Sequence, residues 1–167
     1  MLFRSALVAV AARMLDRLGW PIPDRAVVAG IRDTVLPARV EVRSRRPLVV
    51  VDAAHNVDSM VALVAAVSPL VARHRPRVLV FAASEDKEIE RMLVLVRGSF
   101  DHVVLTRSAT SPRGASLERL LAAAKGAGLR RMETSATPRE ALRRAKSLAG
   151  GKGLVVVAGS FFLAGEV

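Results

Sequence analysis

The segment Asp52-Ala53-Ala54-His55-Asn56 directly follows an unbroken apolar run at 47–51. The carboxylate of Asp52 could accept hydrogen bonds from ribose hydroxyls or from backbone N–H groups of its own loop, and the helix expected after it would favour a nearby anion. An aspartate that only caps the turn would have the same spacing, so both interpretations stay open. His55 could face a ligand or a proton donor, although a single loop histidine is more often a surface residue. Asn56 is suited to capping the helix.

Polar residues also follow three other apolar segments. Lys87 could hold a phosphate or a carboxylate as a point charge, and Arg113 could bind a carboxylate through two parallel hydrogen bonds. The pair Gly159-Ser160 offers a hydroxyl and free backbone N–H groups. The sequence contains no glycine-rich phosphate loop and no Gly-x-Ser-x-Gly elbow. No second histidine or cysteine lies near His55 in sequence, so we expect no metal site.

Apolar runs of strand length alternate with amphipathic helical segments from about residue 37 to the end. This rhythm is typical of a parallel sheet covered on both faces. We therefore expect a three-layer, Rossmann-like α/β domain with a mostly parallel sheet of about six strands. Its polar loops, expected at 52–56, 83–86, 107–114 and 159–165, follow strand ends and should share one edge of the sheet. The expected strands are 39–43, 47–52, 77–82, 102–106, 130–134 and 153–158, and the expected helices are 57–72, 87–96, 116–125 and 138–148.

The first 36 residues contain no expected strand and look like a helical lead-in, or the end of a domain that lies upstream. Two helices are expected here, over 3–18 and from 23 to about 33. We thus divide the chain into residues 1–36 and 37–167. Arg13 interrupts the opening apolar run, which argues against a signal peptide. No apolar segment is long enough for a membrane span, and cysteine is absent, so we expect a cytoplasmic protein without a membrane partner.

The formal net charge of +11 would suit an anionic partner such as nucleic acid. The arginines are scattered, however, and aromatic residues make up only 4% of the chain. No basic run is interleaved with stacking residues of the kind that single-strand binders use. A compositionally basic surface is therefore favoured over nucleic-acid binding, and a specific anionic ligand stays open.

Five segments taken in order resemble the C-terminal domain of the folylpolyglutamate synthase/dihydrofolate synthase family, within the Mur ligase superfamily. The segment VVVDAAHN at 49–56 is similar to the family's Asp-Gly-Ala-His-Asn, and the last segment is similar to its terminal Gly-Ser piece. The resemblance extends over the whole chain, with the leading helices similar to the end of the family's upstream domain. The other matching segments are LPARVEV (36–42), FAASEDKEIERML (81–93), TSPRGAS (110–116) and VVVAGSFFLAGEV (155–167).

The resemblance implies a ligase reaction. ATP would phosphorylate a carboxylate of the folate or dihydropteroate substrate, and the amine of L-glutamate would then attack the acyl phosphate to give an amide and ADP. By motif position, Arg39, Asp52 and His55 would contact the nucleotide or help to close the domain. Ser160 and Arg113 would lie on the glutamate side. The resemblance implies no catalytic residue and no metal ligand within this chain.

The sequence departs from the family pattern at Ala38 and Ala53, which replace family glycines. The family's P-loop, its Mg²⁺ ligands and its folate pocket lie in an upstream ATPase domain that the 167 residues do not contain. We therefore expect this chain to need that ATPase domain as its partner and to be inactive alone.

Two other functions stay open at this point. One is a basic α/β module that binds nucleic acid or another anion. The other is the C-terminal domain of a peptidoglycan-type Mur ligase, although those ligases usually carry other residues after the strand than Asp52–Asn56, which favours the folate branch.

Overall fold

The structure is a computed structural model that describes residues 2–167. The chain forms two compact units: the first ends at Leu36, and the second comprises Pro37–Val167. The helices are α1 (Leu2–Arg17), α2 (Asp24–Asp33), α3 (Val57–Arg73), α4 (Ile89–Val94), α5 (Leu117–Gly126), α6 (Pro138–Ala149) and α7 (Phe161–Glu166), and the strands are β1 (Glu41–Arg45), β2 (Leu48–Val51), β3 (Arg77–Phe81), β4 (His102–Thr106), β5 (Met132–Ser135) and β6 (Leu154–Ala158).

The first unit contains α1 and α2, close to the two helices expected there. An ion pair joins them, with Nη2 of Arg13 lying 3.4 Å from Oδ1 of Asp24. Both side chains are largely exposed, so the pair contributes little to stability. In the part of the chain that the structure describes, no helix has the length and apolar character needed to cross a membrane. The origin of this unit in an upstream domain stays a prediction.

The second unit is built on a six-stranded sheet with the order β1-β2-β6-β3-β4-β5. The pair β1–β2 is antiparallel, and every other neighbouring pair is parallel. This confirms the expected mostly parallel, Rossmann-like sheet. The last strand in the sequence, β6, lies between β2 and β3. The C-terminal segment therefore leaves the sheet near the middle of its carboxyl edge.

Helices cover both faces of the sheet because alternate residues of its central strands point to opposite sides. On one face, Met60 of α3, Met92 of α4 and Leu120 of α5 are completely buried in one core cluster. On the other face, Ala141 and Ala145 of α6 pack in a second cluster with strand valines. Since the central strands are buried on both sides, their sequences are continuously apolar instead of alternating.

The structure differs from the sequence-based expectation at the first strand. We expected it at 39–43, but β1 begins at Glu41. Ala38 and Val40 both have φ of +52° and form a turn that an extended strand cannot include. A β-bulge between Val42 and Ser44 breaks the period-two pattern further on.

Two helices also differ from expectation. The helix expected at 87–96 is regular only over α4. The four apolar residues expected to face the core are nevertheless buried: Ile89, Met92, Leu93 and Val96. The segment 159–165 was expected to be a loop, and this was wrong, because it contains α7. Leu163 and Ala164 of α7 are buried in the second core cluster, and this packing stabilises a helix too short to be recognised by periodicity.

An ion pair between Arg77 and Asp101 joins the amino ends of β3 and β4. The Asp101 carboxylate accepts from the backbone N–H of Arg77 at 2.8 Å and from its guanidinium at 2.7 and 3.0 Å. Arg75 also donates to Asp101, at 3.3 Å. The hydrogen bonds from the Arg77 side chain are the main reason that the pKa of Asp101 is lowered to about 2.

We expect Asp101→Asn to lower the free energy of unfolding by about 2 kcal/mol at neutral pH, because an amide cannot accept these charge-assisted hydrogen bonds. The pKa of Asp101 is lower in the folded state than in the unfolded state. Its contribution is therefore complete above the ordinary carboxyl pKa and is lost as the pH falls toward about 2.

Urea unfolding from about pH 7 to about pH 3 measures this difference. The control is Asp58→Asn in the exposed first turn of α3, which should cost about 0.5 kcal/mol. A wild-type advantage over Asp101→Asn that grew as the pH fell would contradict a lowered pKa of Asp101 in the folded state.

Candidate functional site

Four loops meet at the carboxyl edge of the sheet, as the alternation of strands and helices predicted. They follow β2, β6, β3 and β4, which are consecutive and parallel in the sheet. The polar residues singled out in the sequence lie on these loops, except for Arg39, which lies on the turn before β1.

Asp52 ties the turn before β1 to the loop after β2. One carboxylate oxygen accepts from the N–H of Val40 at 2.8 Å, and the other accepts from the N–H of Ala54 at 2.8 Å. The residue is only 7% exposed, so these bonds are shielded from water. The turn-capping interpretation of Asp52 is thus confirmed, and its contact with a ribose stays a prediction.

The turn that carries Arg39 is held by two more hydrogen bonds. The N–H of Ala38 donates to Oε2 of Glu41 at 2.8 Å, and the carbonyl of Ala38 accepts from the N–H of Ala53 at 2.9 Å. The bond from Ala38 is the main cause that lowers the pKa of Glu41, and Arg43 adds to the shift. Arg39 itself is half-buried and projects from a turn whose conformation is fixed on both sides.

His55 and Asn56 directly precede α3, and hydrogen bonds fix the positions of both residues. Oδ1 of Asn56 accepts from the N–H of Ser59 at 2.8 Å, and Oγ of Ser59 accepts from the N–H of Asn56 at 3.0 Å, which makes a capping box. The predicted N-cap role of Asn56 is therefore confirmed. Nδ1 of His55 lies 3.0 Å from the carbonyl oxygen of Ala53. Since a carbonyl only accepts, we assign the proton of this bond to Nδ1, which leaves Nε2 for another partner.

The structure brings Arg39 and His55 together through Phe161, a residue that the sequence reasoning missed. The ring centroids of His55 and Phe161 are 4.9 Å apart at an interplanar angle of 45°. The Cζ atom of Arg39 lies 5.1 Å from the centroid of the same ring, within cation–π range. The only signal in the sequence was an aromatic residue directly after Gly159-Ser160 at a strand end.

Gly159 and Ser160 have structural roles that the sequence left open. The N–H of Gly159 donates to the carbonyl of Ala54 at 2.7 Å, so the expectation of a free N–H group there was wrong. At φ +110°, a Cβ atom on Gly159 would lie 2.1 Å from the carbonyl oxygen of Ala82, which only glycine avoids. Oγ of Ser160 caps α7 by accepting from the N–H of Phe162 at 3.1 Å.

Arg113 lies on the loop after β4, which pairs with the loop after β3. The carbonyl of Arg113 accepts from the N–H of Glu85 at 2.8 Å, while its side chain is exposed. The pKa of Asp86 is lowered mainly by its hydrogen bond from Lys87, with a smaller contribution from the charge of Arg113. Lys87 pairs with Asp86 at 2.8 Å, and the charge of Arg113 acts on the same carboxylate. Among the described residues, no hydrogen bond joins Arg113 to Ser160.

Glu166, at the end of α7, anchors the loop after β4. Its carboxylate accepts from the backbone N–H groups of Ala109 and Thr110 at 2.9 and 3.1 Å, and from the hydroxyls of Ser108 and Thr110. Burial opposes ionisation, but these hydrogen bonds outweigh it and leave the pKa of Glu166 below its ordinary value. The sequence reasoning did not single out Glu166, because no local pattern relates residues 108 and 166.

The residues present do not form a metal site of their own. Within residues 2–167, no three carboxylate or imidazole side chains converge as a bound metal ion would require.

Comparison with known proteins gives one family. The family model described as "Mur ligase, glutamate ligase domain" matches residues 38–161. A dihydrofolate synthase/folylpolyglutamate synthase of Mycobacterium tuberculosis is 35% identical over 124 residues, which is 74% of this chain and 25% of that protein. The chain thus spans about a quarter of the length of this curated relative.

Two solved structures are similar in fold as well. The Mycobacterium tuberculosis folylpolyglutamate synthase complexed with ADP and AMPPCP superposes with a TM-score of 0.80 at 30% identity, covering 91% of this chain and 36% of that one. The bifunctional enzyme of Yersinia pestis complexed with AMPPNP and a Mn ion gives a TM-score of 0.75 at 27% identity, covering 86% and 33%.

Ala38 and Ala53, which by the resemblance stand where the family has glycine, should have opposite changes in stability when each is replaced by glycine. Ala38 has φ of +52°, so Ala38→Gly relieves left-handed strain and should raise the free energy of unfolding by about 0.5–1 kcal/mol. Ala53 is completely buried and lacks a positive φ, so Ala53→Gly should lower it by about 1–2 kcal/mol. Urea unfolding of both variants in parallel measures these changes. Changes of the same sign in the free energy of unfolding would contradict the left-handed turn at Ala38.

Glu166→Gln should loosen the loop after β4 without removing α7. The neutral amide is a weaker acceptor, so the N–H groups of Ala109 and Thr110 should exchange about tenfold faster at neutral pH, equivalent to about 1.4 kcal/mol. Because the folded pKa is lowered, this protection in the wild type should fade as the pH drops through the carboxyl range. Glu140→Gln, at an exposed position on α6, is the control. Equal exchange rates of the Ala109 and Thr110 N–H groups in both variants would contradict the anchoring role of Glu166.

Proposed function

The chain belongs to the family of Mur ligase glutamate ligase domains, and we propose that it acts as the C-terminal domain of an ATP-dependent ligase that attaches L-glutamate to folate or dihydropteroate. The observation that carries this proposal is the meeting of Arg39, Asp52 and His55 at the carboxyl edge of a sheet whose fold matches folylpolyglutamate synthases at a TM-score of 0.80.

The nucleotide side of the site comprises Arg39, Asp52 and His55. The guanidinium of Arg39 donates to phosphate oxygens, for which its planar fork is suited. Nε2 of His55 is left for the nucleotide, because Nδ1 is engaged by the Ala53 carbonyl. Asp52 holds the Arg39 turn with one oxygen and has lone pairs left to accept from a ribose hydroxyl.

The amino-acid side comprises Arg113 and Ser160. Arg113 has an exposed guanidinium that can bind a carboxylate of L-glutamate. Oγ of Ser160 accepts from the N–H of Phe162, so its own proton is left to donate to a substrate oxygen. Together these residues orient the amine of glutamate, and they do not themselves carry out the bond-making step.

ATP, when bound, would supply activation of the substrate carboxylate: transfer of its γ-phosphoryl group would give an acyl phosphate and ADP, and attack of the glutamate amine on the acyl carbon would then give the amide and release phosphate. The phosphate cradle and the Mg²⁺ ligands belong in a P-loop ATPase domain that acts as the partner of this chain. Two findings support this division: the chain spans 36% of the solved Mycobacterium tuberculosis enzyme, and the similar Yersinia pestis enzyme is complexed with AMPPNP and a Mn ion.

The matched proteins favour the folate branch over the alternatives. The relative and both solved structures are folate enzymes, and none of them is a peptidoglycan ligase. A nucleic-acid module would have to rest on the net charge alone. The reaction would take place in the cytoplasm, where we expect the protein.

We expect this chain to support catalysis only together with a P-loop ATPase domain of the same family. ADP release by the complete enzyme should then depend on both L-glutamate and a folate or dihydropteroate acceptor. Arg39→Gln should lower kcat/KM for ATP by about 10- to 100-fold, because a phosphate contact is lost.

The matched control is Arg45→Gln, which removes the same charge from an exposed position on β1. Steady-state assays of ADP and of the glutamate conjugate measure both variants. ADP release that ignores L-glutamate, or an equal loss of activity in Arg45→Gln, would refute the proposed site.

A further inference from the structure

Phe161 is an aromatic residue whose position the core does not explain. Its side chain is 52% exposed, whereas Leu163 and Ala164 on the same helix are buried. The ring instead packs on the imidazole of His55 at 4.9 Å and lies under the guanidinium of Arg39 at 5.1 Å. The exposed ring therefore links two side chains that come from separate segments, before β1 and after β2.

The backbone around Phe161 is fixed on both sides. Gly159 is held against the carbonyls of Ala54 and Ala82, and Ser160 caps the first turn of α7. At the other end of α7, Glu166 binds the loop after β4. A rigid helix start thus presents the Phe161 ring at the carboxyl edge.

Without the Phe161 ring, the side chains of Arg39 and His55 would each lose one contact that restricts their conformation. The backbone turn of Arg39 is fixed, but a long arginine side chain keeps many rotamers unless its guanidinium is stacked. The imidazole of His55 is held by one hydrogen bond to Ala53, and the second contact to its ring comes from Phe161.

We propose that Phe161 is a positioning residue, which holds Arg39 and His55 in one arrangement before the nucleotide binds. Stacking on the ring face restricts the guanidinium, and the tilted contact restricts the imidazole. Because Arg39 and His55 are ordered in advance, less side-chain freedom is lost on binding. The contacts of Phe161 with Arg39 and His55 do not depend on the proposed function. Only the expected effect on kcat/KM for ATP rests on it.

The first test uses the 167-residue chain alone and needs no activity. The Phe161 ring shifts the NMR signals of the His55 imidazole and the Arg39 guanidinium through its ring current. Phe161→Leu should move both signals toward their unstacked positions, while Phe161→Tyr should leave them close to wild type. The control is Phe162→Leu, because neither the aromatic nor the cation contact in the described chain involves Phe162. Unchanged His55 and Arg39 signals in Phe161→Leu would overturn the proposal.

The second test measures ATP kinetics in the complete enzyme. Phe161→Leu should lower kcat/KM for ATP by about 5- to 30-fold, mainly through KM, and Phe161→Tyr should restore it. Phe162→Leu should resemble wild type. A loss in Phe161→Tyr as large as in Phe161→Leu would show that an aromatic ring at this position does not account for the effect, and it would overturn the proposal. If every variant, wild type included, lacks glutamate-dependent ADP release, the ligase function fails, and the NMR result still decides the role of Phe161.

Discussion

The close backbone contact at Gly159 is the constraint on which the site depends. The central strand β6 ends there, between β2 and β3, and the N–H of Gly159 donates to the carbonyl of Ala54 while its α-carbon faces the carbonyl of Ala82. Any Cβ would collide with that carbonyl oxygen, so the chain can turn into α7 at this point only through glycine. As a result, Ser160 and Phe161 emerge beside the loop that carries Asp52 and His55.

The two edges of the sheet are stabilised in different ways. At the amino edge, Arg77 and Asp101 form an ion pair with two side-chain hydrogen bonds. At the carboxyl edge, the hydrogen bond from Ala38 to Glu41 and the one from Val40 to Asp52 hold Ala38 and Val40 in left-handed conformations that cost free energy. Backbone strain that the surroundings impose is common where side chains must be presented in a fixed direction. Here it presents Arg39, the residue between the two strained positions.

Features that are local in sequence could be predicted, and those that depend on distant contacts could not. The buried strands and the apolar faces of α3, α5 and α6 follow from hydrophobic periodicity. The polar residues of the candidate site, except Arg39, were singled out because they follow apolar strands, whereas Arg39 was singled out only by the family resemblance. The start of β1 was missed because the positive φ of Val40 depends on a hydrogen bond to Asp52, twelve residues away. The helix α7 was missed because tertiary packing of Leu163 stabilises it more than its own sequence does. Glu166 and Phe161 act on side chains far along the chain, and no local pattern encodes such pairs.

We expect selectivity for the proposed nucleotide ligand at this edge to come from fixed geometry and not from the amount of charge. A net charge of +11 creates a field that attracts any anion and that salt screens. Most arginines contribute to that field from flexible, exposed side chains. Arg39 differs because its backbone turn is clamped by Asp52 and its guanidinium lies over Phe161. A cation with a set position can distinguish one phosphate arrangement from another, whereas a mobile cation can only add to affinity. The contacts around Arg39 therefore support the proposed nucleotide ligand more strongly than the charge of the whole chain does.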